Sequence, residues 1–193
     1  MEKPYELFAK LSVVPLAEFG AAFDEFKGSA FRLECLPSYS VEEEAEHLNA
    51  YKRGAPCPAD INIEWLQFLK TAQSTKRTVQ RVRLMPEQRQ MLDYFGFEAE
   101  WGYKESIRAG EQIKLLPSMN LCDYASHVPI LQDYWLFDDV KCYLIFYDLI
   151  GRFLGTIQVP DGLVQLYVAL SKNLWTNSHT FDQNQSYIWK PST

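Results

Sequence analysis

The sequence predicts an α+β fold: a single domain with a mostly antiparallel sheet of about five or six strands and helices packed against it. Three observations predict it. Stretches of period-two alternation are interleaved with helical periodicity in the first two-thirds of the chain. Three alternating stretches then follow one another between Tyr134 and Val159, separated only by turns. Aromatic residues make up 15% of the 193 residues, a surplus that suits pleated, half-buried surfaces. The regular strand–helix–strand repeat of a doubly wound parallel sheet is not visible.

Each element has a local warrant. Leu16, Phe19, Phe23 and Phe26 recur at helical spacing between Pro15 and Lys27, so one amphipathic stripe is expected, stopped by Gly28. Ala30 to Leu36 alternates Phe31, Leu33 and Cys35 with Arg32 and Glu34, which reads as a half-buried strand. Ser40 and Glu43 fit a capping box for a helix running to Lys52 and closing at Gly54, with an acidic outer face of Glu42, Glu43, Glu44 and Glu46. A helix from Ile61 to Ser74 turns Trp65, Phe68 and Leu69 inward. Thr78 to Met85 alternates again, placing Val82 and Leu84 opposite Arg81 and Arg83. Pro86 suits the first turn of a helix that ends near Gly102.

The chain next turns at Gly110 into a short strand, Ile113 to Leu116. Pro117 to Gln132 reads as a loop, long enough to suggest a functional or mobile segment. Tyr134–Asp138, Cys142–Tyr147 and Phe153–Val159 are three antiparallel strands, the last two joined by a hairpin turn at Asp148–Gly151. Leu163 to Trp175 closes as a helix with Leu166, Leu170 and Leu174 on one stripe. The polar tail, Asn177 to Thr193, is expected to pack back through Phe181, Tyr187 and Trp189. Residues 1–22 read as an N-terminal extension with a short helix, and residues 23–193 as the domain itself.

Composition narrows the function classes. The formal charge of −6 disfavours a globally electrostatic nucleic-acid binder, though a local basic patch remains open. No run approaches the roughly 18 apolar residues of a membrane helix, and the first residues lack the pattern of a signal peptide. Cys35, Cys57, Cys122 and Cys142 show no C-x-x-C spacing, which reads as reduced thiols in a cytoplasmic protein. The G-x-S-x-G motif, the P-loop and the dinucleotide fingerprint are absent, and no cofactor is expected.

Several short blocks occur in one order: F-K-G-S-A-F-R-L-E at Phe26–Glu34, W-L at Trp65–Leu66, R-V-R at Arg81–Arg83, A-G-E-Q-I-K at Ala109–Lys114, D-Y-W-L-F-D-D at Asp133–Asp139 and Y-I-W-K-P at Tyr187–Pro191. Together these resemble an uncharacterised bacterial family, a domain of unknown function abundant in actinomycetes. The resemblance spans Phe23 to Pro191. It implies a cytoplasmic protein encoded beside helix-turn-helix regulators and acting with one. Gln112 and Lys114 stand where that family usually has Asp and Arg, the Pro117–Gln132 loop is longer, and the chain has an N-terminal extension.

Candidate sites follow from charge and spacing. Arg81 and Arg83 point to one face of a strand, and two adjacent guanidinium forks suit a carboxylate or phosphate. They also suit ion pairing with Glu34, Glu111 or Asp133. Lys70, Lys76, Arg77 and Arg89 complete a basic stretch that faces a single acid, Glu87, between residues 70 and 89. It is a candidate contact for a partner or for nucleic acid. Glu111 follows a tight turn and is placed to pair an arginine or act as a base.

Asp133, Asp138 and Asp139 bracket an aromatic pair, Trp135 and Phe137. The acids suit turn and capping roles more than a metal, and the rings suit core more than a ligand shelf. His47, His127 and His179 are isolated, and Cys122, Asp123 and His127 share the long loop without a catalytic pattern.

The ligand candidates are therefore Arg81, Arg83, Glu111, Asp133 and Trp135, with no metal site and no assigned catalytic residue. The sequence favours a non-catalytic domain that binds a protein partner or senses a small anion. An enzyme or accessory subunit with an Arg/Glu/Asp pocket is the alternative, and direct nucleic-acid binding through residues 70–89 a further one. Self-association is left open.

Overall fold

The structure, a computed structural model, describes residues 13–86 and 92–182. Helices and strands are mixed, as the sequence predicts, but the sheet is larger than expected and differently paired. Its seven strands are β1 (Ser29–Glu34), β2 (Thr78–Met85), β3 (Gln112–Pro117), β4 (Tyr134–Phe137), β5 (Lys141–Tyr147), β6 (Phe153–Gln158) and β7 (His179–Thr180), in the order β6-β5-β4-β1-β2-β3-β7. The late meander β4-β5-β6 is antiparallel, while β1 pairs β2 and β2 pairs β3 in parallel.

The sheet is therefore mixed rather than mostly antiparallel, with seven strands instead of five or six. The reason lies in the connections. Between β1 and β2 the chain forms α2 (Ala45–Lys52) and α3 (Ile63–Ser74), and between β2 and β3 it forms α4 (Leu92–Phe97) and α5 (Lys104–Arg108). Crossovers of this length let the next strand run parallel.

Two layers of helix cover the sheet. One face carries Phe31, Leu33, Val82, Leu84, Leu116, Tyr134, Leu136 and Leu144 against α6 (Asp161–Asn177), which contributes Val164, Tyr167, Val168, Leu170 and Leu174. Each fully buried Leu or Val of this layer contributes about 1.5–3 kcal/mol. The expected long loop also packs here: Ser118–Tyr124 forms a tight helical turn, Tyr124 and Val128 are buried, and Tyr167 donates to the Ile130 carbonyl at 2.8 Å.

The opposite face packs against α1 (Leu16–Glu25) and α3 through Ala22, Phe26, Leu69 and Ala72, over Val79, Phe137, Tyr143 and Ile145. Trp135 and Phe137 stack at 5.7 Å within this aromatic layer. All of β1 beyond Ser29 is buried, Arg32 and Glu34 included. Its polar residues lie under a helical layer with only 8% of Arg32 and 5% of Glu34 exposed, so the strand is buried on both sides rather than half buried.

Local departures have local causes. Leu16, expected on the apolar stripe, is exposed at the first position of α1. The Ser40–Glu43 capping box does not form: Glu42–Glu44 make a separate tight turn, and the Ser40 amide donates to the Gly151 carbonyl at 3.0 Å. Glu44 leaves the acidic face and accepts from the Tyr94 hydroxyl at 2.9 Å. The helix expected to end at Gly102 continues through a π-helical turn, Glu98–Tyr103, into α5. Phe181 packs edge-on against Tyr103, whereas Tyr187 and Trp189 lie outside the described residues.

Asp138 shows capping chemistry acting at long range. At φ 52° it ends β4, and its carboxylate accepts from the amides of Lys27, Gly28 and Ser29 at 2.7, 2.7 and 2.9 Å. It thereby ties the entry of β1 to the exit of β4. Asp138→Ala removes three hydrogen bonds to a carboxylate and should lower the unfolding free energy measured in urea by about 1–2 kcal/mol. Asp138→Asn, which tolerates positive φ and keeps one acceptor, should cost less in the same assay.

Candidate functional site

The pleat sends alternate residues of β1 and β2 to the α1/α3 face. Parallel register then sets Arg32 beside Arg81, and Glu34 beside Arg83. Three guanidiniums and one carboxylate thus share the middle of the sheet. Further acids reach them from distant segments. Asp133 immediately precedes β4. Glu98 opens the π-helical turn. Glu111 sits just before β3, after Gly110, whose φ of 110° lets the chain reverse; the Gln73 side chain lies 3.1 Å from where a Cβ would be.

The pairing is dense. Arg81 donates from Nε to Glu111 at 2.8 Å and from Nη1 to Glu34 at 2.5 Å. Arg83 donates to Glu98 at 2.8 Å and to the Leu36 carbonyl. Arg32 donates from Nη2 to Asp133 at 3.3 Å and to the Tyr147 hydroxyl at 3.0 Å, with Glu34 3.4 Å from its Nε. The remaining acceptors are satisfied locally. Tyr39 and the Cys35 amide donate to Asp133 at 2.6 and 2.8 Å, Tyr103 donates to Glu34 at 2.9 Å, and the Trp65 indole donates to Glu111 at 3.2 Å. Aromatic faces close over the cations: Trp135 on Arg32 at 5.4 Å, Tyr103 on Arg81 at 5.3 Å and Tyr39 on Arg83 at 5.1 Å.

Burial and charge set the ionisation. Burial alone would raise Glu34, but Arg81, Arg32 and Arg83 together hold it down at about 2. Glu98 is pushed up to about 7: burial outweighs Arg83, and Glu34 adds like charge. Burial also raises Asp133 and Glu44 above the usual carboxylate range. For the three arginines burial opposes the charge, and the surrounding acids and phenols outweigh it.

A cleft of about 300 Å³ opens over one end of this network. Its charged lining is Arg32, Arg81, Glu34, Glu44 and Glu98; Trp65, Trp135 and Tyr103 form aromatic walls, and Asn62, Gly102 and Ser106 complete it. Asn62 holds a left-handed φ of 55° where the chain enters α3. A second cavity of about 260 Å³, between Tyr39, Leu48, Lys52 and Tyr94, shares Glu44 with the first.

The structure brings together Arg81, Arg83, Glu111, Asp133 and Trp135, but divides their roles. Arg81 and Trp135 line the cleft. Arg83, Glu111 and Asp133 are 0%, 2% and 2% exposed and hold the wall from behind. The two guanidiniums of β2 therefore do not present one joint fork to a ligand. Lys70 and Lys76 are exposed on and after α3, while Arg77 folds over the Phe26 ring at 4.6 Å. Arg89 lies outside the described residues.

Sequence reasoning missed Glu98 as a site residue because the π-helical turn that aims it inward leaves no periodic signal; such turns recur at functional sites. Cys122, Asp123 and His127 are all exposed, with His127 against the Tyr124 ring at 5.6 Å. Among the described residues no group of three or more His, Cys, Asp or Glu side chains is placed to hold a metal ion. The arrangement is suited to gripping a small polar molecule between fixed donors, fixed acceptors and aromatic walls.

Arg83→Met should destabilise the protein by about 3–5 kcal/mol in urea denaturation, because Glu98 and Glu34 lose a buried counter-charge. A pH test isolates Glu98. Its folded pKa of about 7 lies above the ordinary 4.5, so the folded state holds the proton more tightly than the unfolded chain. Its contribution to stability is full below 4.5 and falls as pH rises to about 7. Glu98→Gln should flatten the stability profile across that window, measured as the urea midpoint against pH.

Residues 17–185 match the model of a protein family described as a domain of unknown function (DUF6879). No functionally curated protein matches the chain.

Proposed function

This chain belongs to the DUF6879 family, a domain of unknown function, and we propose that it is a non-catalytic sensor domain whose cleft binds a small polar ligand. One observation carries the reading. Arg32 Nη1 and Arg81 Nη2 have no hydrogen-bond partner among the described residues, at the wall of an open cleft, while Asp133 and Tyr147 hold Arg32 Nη2, Glu111 and Glu34 hold Arg81, and the buried Arg32 Nε lies 3.4 Å from Glu34 without a hydrogen bond. Donors fixed in advance lose little freedom when a ligand arrives, which is how a binding site gains affinity. Glu34 and Glu111 are likewise clamped by arginines, which suits recognition more than proton transfer.

Ligand occupancy is then read by a protein partner. The family resemblance suggests a helix-turn-helix regulator. Exposed apolar residues on the β5–β6 hairpin support a protein contact: Leu149 and Ile150 in the turn and Leu154 in β6 are 106%, 63% and 63% exposed. The reading places the protein in the cytoplasm, which suits four free thiols. No described helix is long and apolar enough to cross a membrane.

A second reading has its own observation. Glu98, raised to about 7 on a π-helical turn at the cleft, has the ionisation of a general acid–base, and an enzyme would use it so.

Thermal shift with wild-type protein against amino acids, polyamines, carboxylates and phosphate tests the sensor reading. At least one class should raise the melting temperature by about 2 °C or more. Gly102→Leu supplies the control: a Cβ there meets only Asn62 Nδ2 at 3.8 Å, so the variant should fold while filling the cleft. Its melting temperature should not respond. Equal shifts in both proteins, or none in either, would contradict the reading.

A further inference from the structure

We infer that the cleft recognises an amphoteric small molecule, one bearing both an ammonium and a carboxylate, an inference that rests on the cleft being a binding site. The lining supplies three carboxylates, Glu34, Glu44 and Glu98, against two guanidiniums, Arg32 and Arg81. Behind it, Arg83 is matched by Glu98, while Glu111 and Asp133 consume further positive charge. Across the whole cluster five acids face three arginines. A bare anion such as phosphate would enter a site that already has surplus acid, and would have to compete with Glu34 for the guanidiniums. A ligand that brings its own positive charge meets no such opposition.

Two open ends on each side specify the rest. Glu98 and Glu44 each use one carboxylate oxygen, Oε2, for Arg83 and Tyr94; their Oε1 atoms accept no hydrogen bond among the described residues. These are the natural seats of an ammonium group. The unpartnered Arg32 Nη1 and Arg81 Nη2 are the seats of a carboxylate. A pure amine would leave the guanidinium ends open and a pure acid would leave the carboxylate ends open. Trp65 and Trp135 flank the space between and suit a short methylene chain. Burial raises the pKa values of both Glu44 and Glu98, and in Glu98 it does so although Arg83 holds one of the two oxygens.

Three five-carbon probes separate the classes by their termini alone: 5-aminopentanoate, cadaverine and glutarate, with inorganic phosphate as a fourth. Titration calorimetry on the full chain should show 5-aminopentanoate binding at least about tenfold more tightly than each of the others. Glu98→Gln and, independently, Glu44→Gln should weaken that binding while leaving any glutarate binding unchanged or stronger. The result that overturns the inference is 5-aminopentanoate binding no more tightly than glutarate or phosphate, or not at all. If glutarate or phosphate then binds wild-type protein but not Gly102→Leu, the ligand class is wrong and the cleft reading stands. If no probe or panel compound distinguishes wild-type protein from Gly102→Leu, both fall.

Discussion

Three arginines side by side in the middle of a sheet are the constraint on which the rest of this structure depends. Arg32 and Arg81 are register partners on adjacent parallel strands, and Arg83 follows two residues on. At an effective dielectric near 20, two like charges about 4 Å apart repel by about 4 kcal/mol. Burial adds a desolvation penalty for each. The sheet can exist only if acids arrive to neutralise them, and none but Glu34 comes from the same two strands. Asp133, Glu98 and Glu111 come from the entry to β4, the π-helical turn and the entry to β3. The ion pairs therefore connect five regions of the chain, and they define register more than they add net stability, as buried charges often do.

This explains what the sequence made legible and what it hid. Alternation at Ala30–Leu36 and Thr78–Met85 located β1 and β2, because one side of each strand is plainly apolar. The pairing of Arg81 with Glu34 and Glu111 was also readable, since a buried-strand arginine needs an acid and few are near, whereas Asp133 pairs Arg32 and neither Arg81 nor Arg83. The parallel pairing was not readable. Arg32 and Glu34 look like solvent-facing residues in isolation, and the alternation of a half-exposed strand is identical to that of a strand whose polar side is buried against counter-charges. Period alone does not separate the two, and the mostly antiparallel expectation rested on the late meander and on the absence of a regular strand–helix–strand repeat.

Local signals failed where tertiary contacts overrode them. Ser40 and Glu43 have the spacing of a capping box, yet the Ser40 amide is drawn to Gly151 on the β5–β6 hairpin. Gly102 resembles a helix stop, yet the helix widens by a π-helical turn and carries on, and that turn is what delivers Glu98 to the cleft. By contrast, Asp138 behaves as its residue type suggests, although the amides it caps lie more than a hundred residues away. The candidate site was thus half visible: Arg81 and Trp135 were found, while Glu98, Tyr103 and Trp65 needed the fold to bring them in.

The central claim is that the charges form one coupled unit and do not act as independent pairs on a tolerant scaffold. The most direct measurement is a double-mutant cycle by urea denaturation on Arg81→Met, Glu111→Gln and the combined variant. Coupled buried partners predict that the double variant loses less than the sum of the singles, with an interaction energy of about 2 kcal/mol or more. Additivity within about 0.5 kcal/mol would contradict the account, because it would mean that neither charge depends on the other for its place in the sheet.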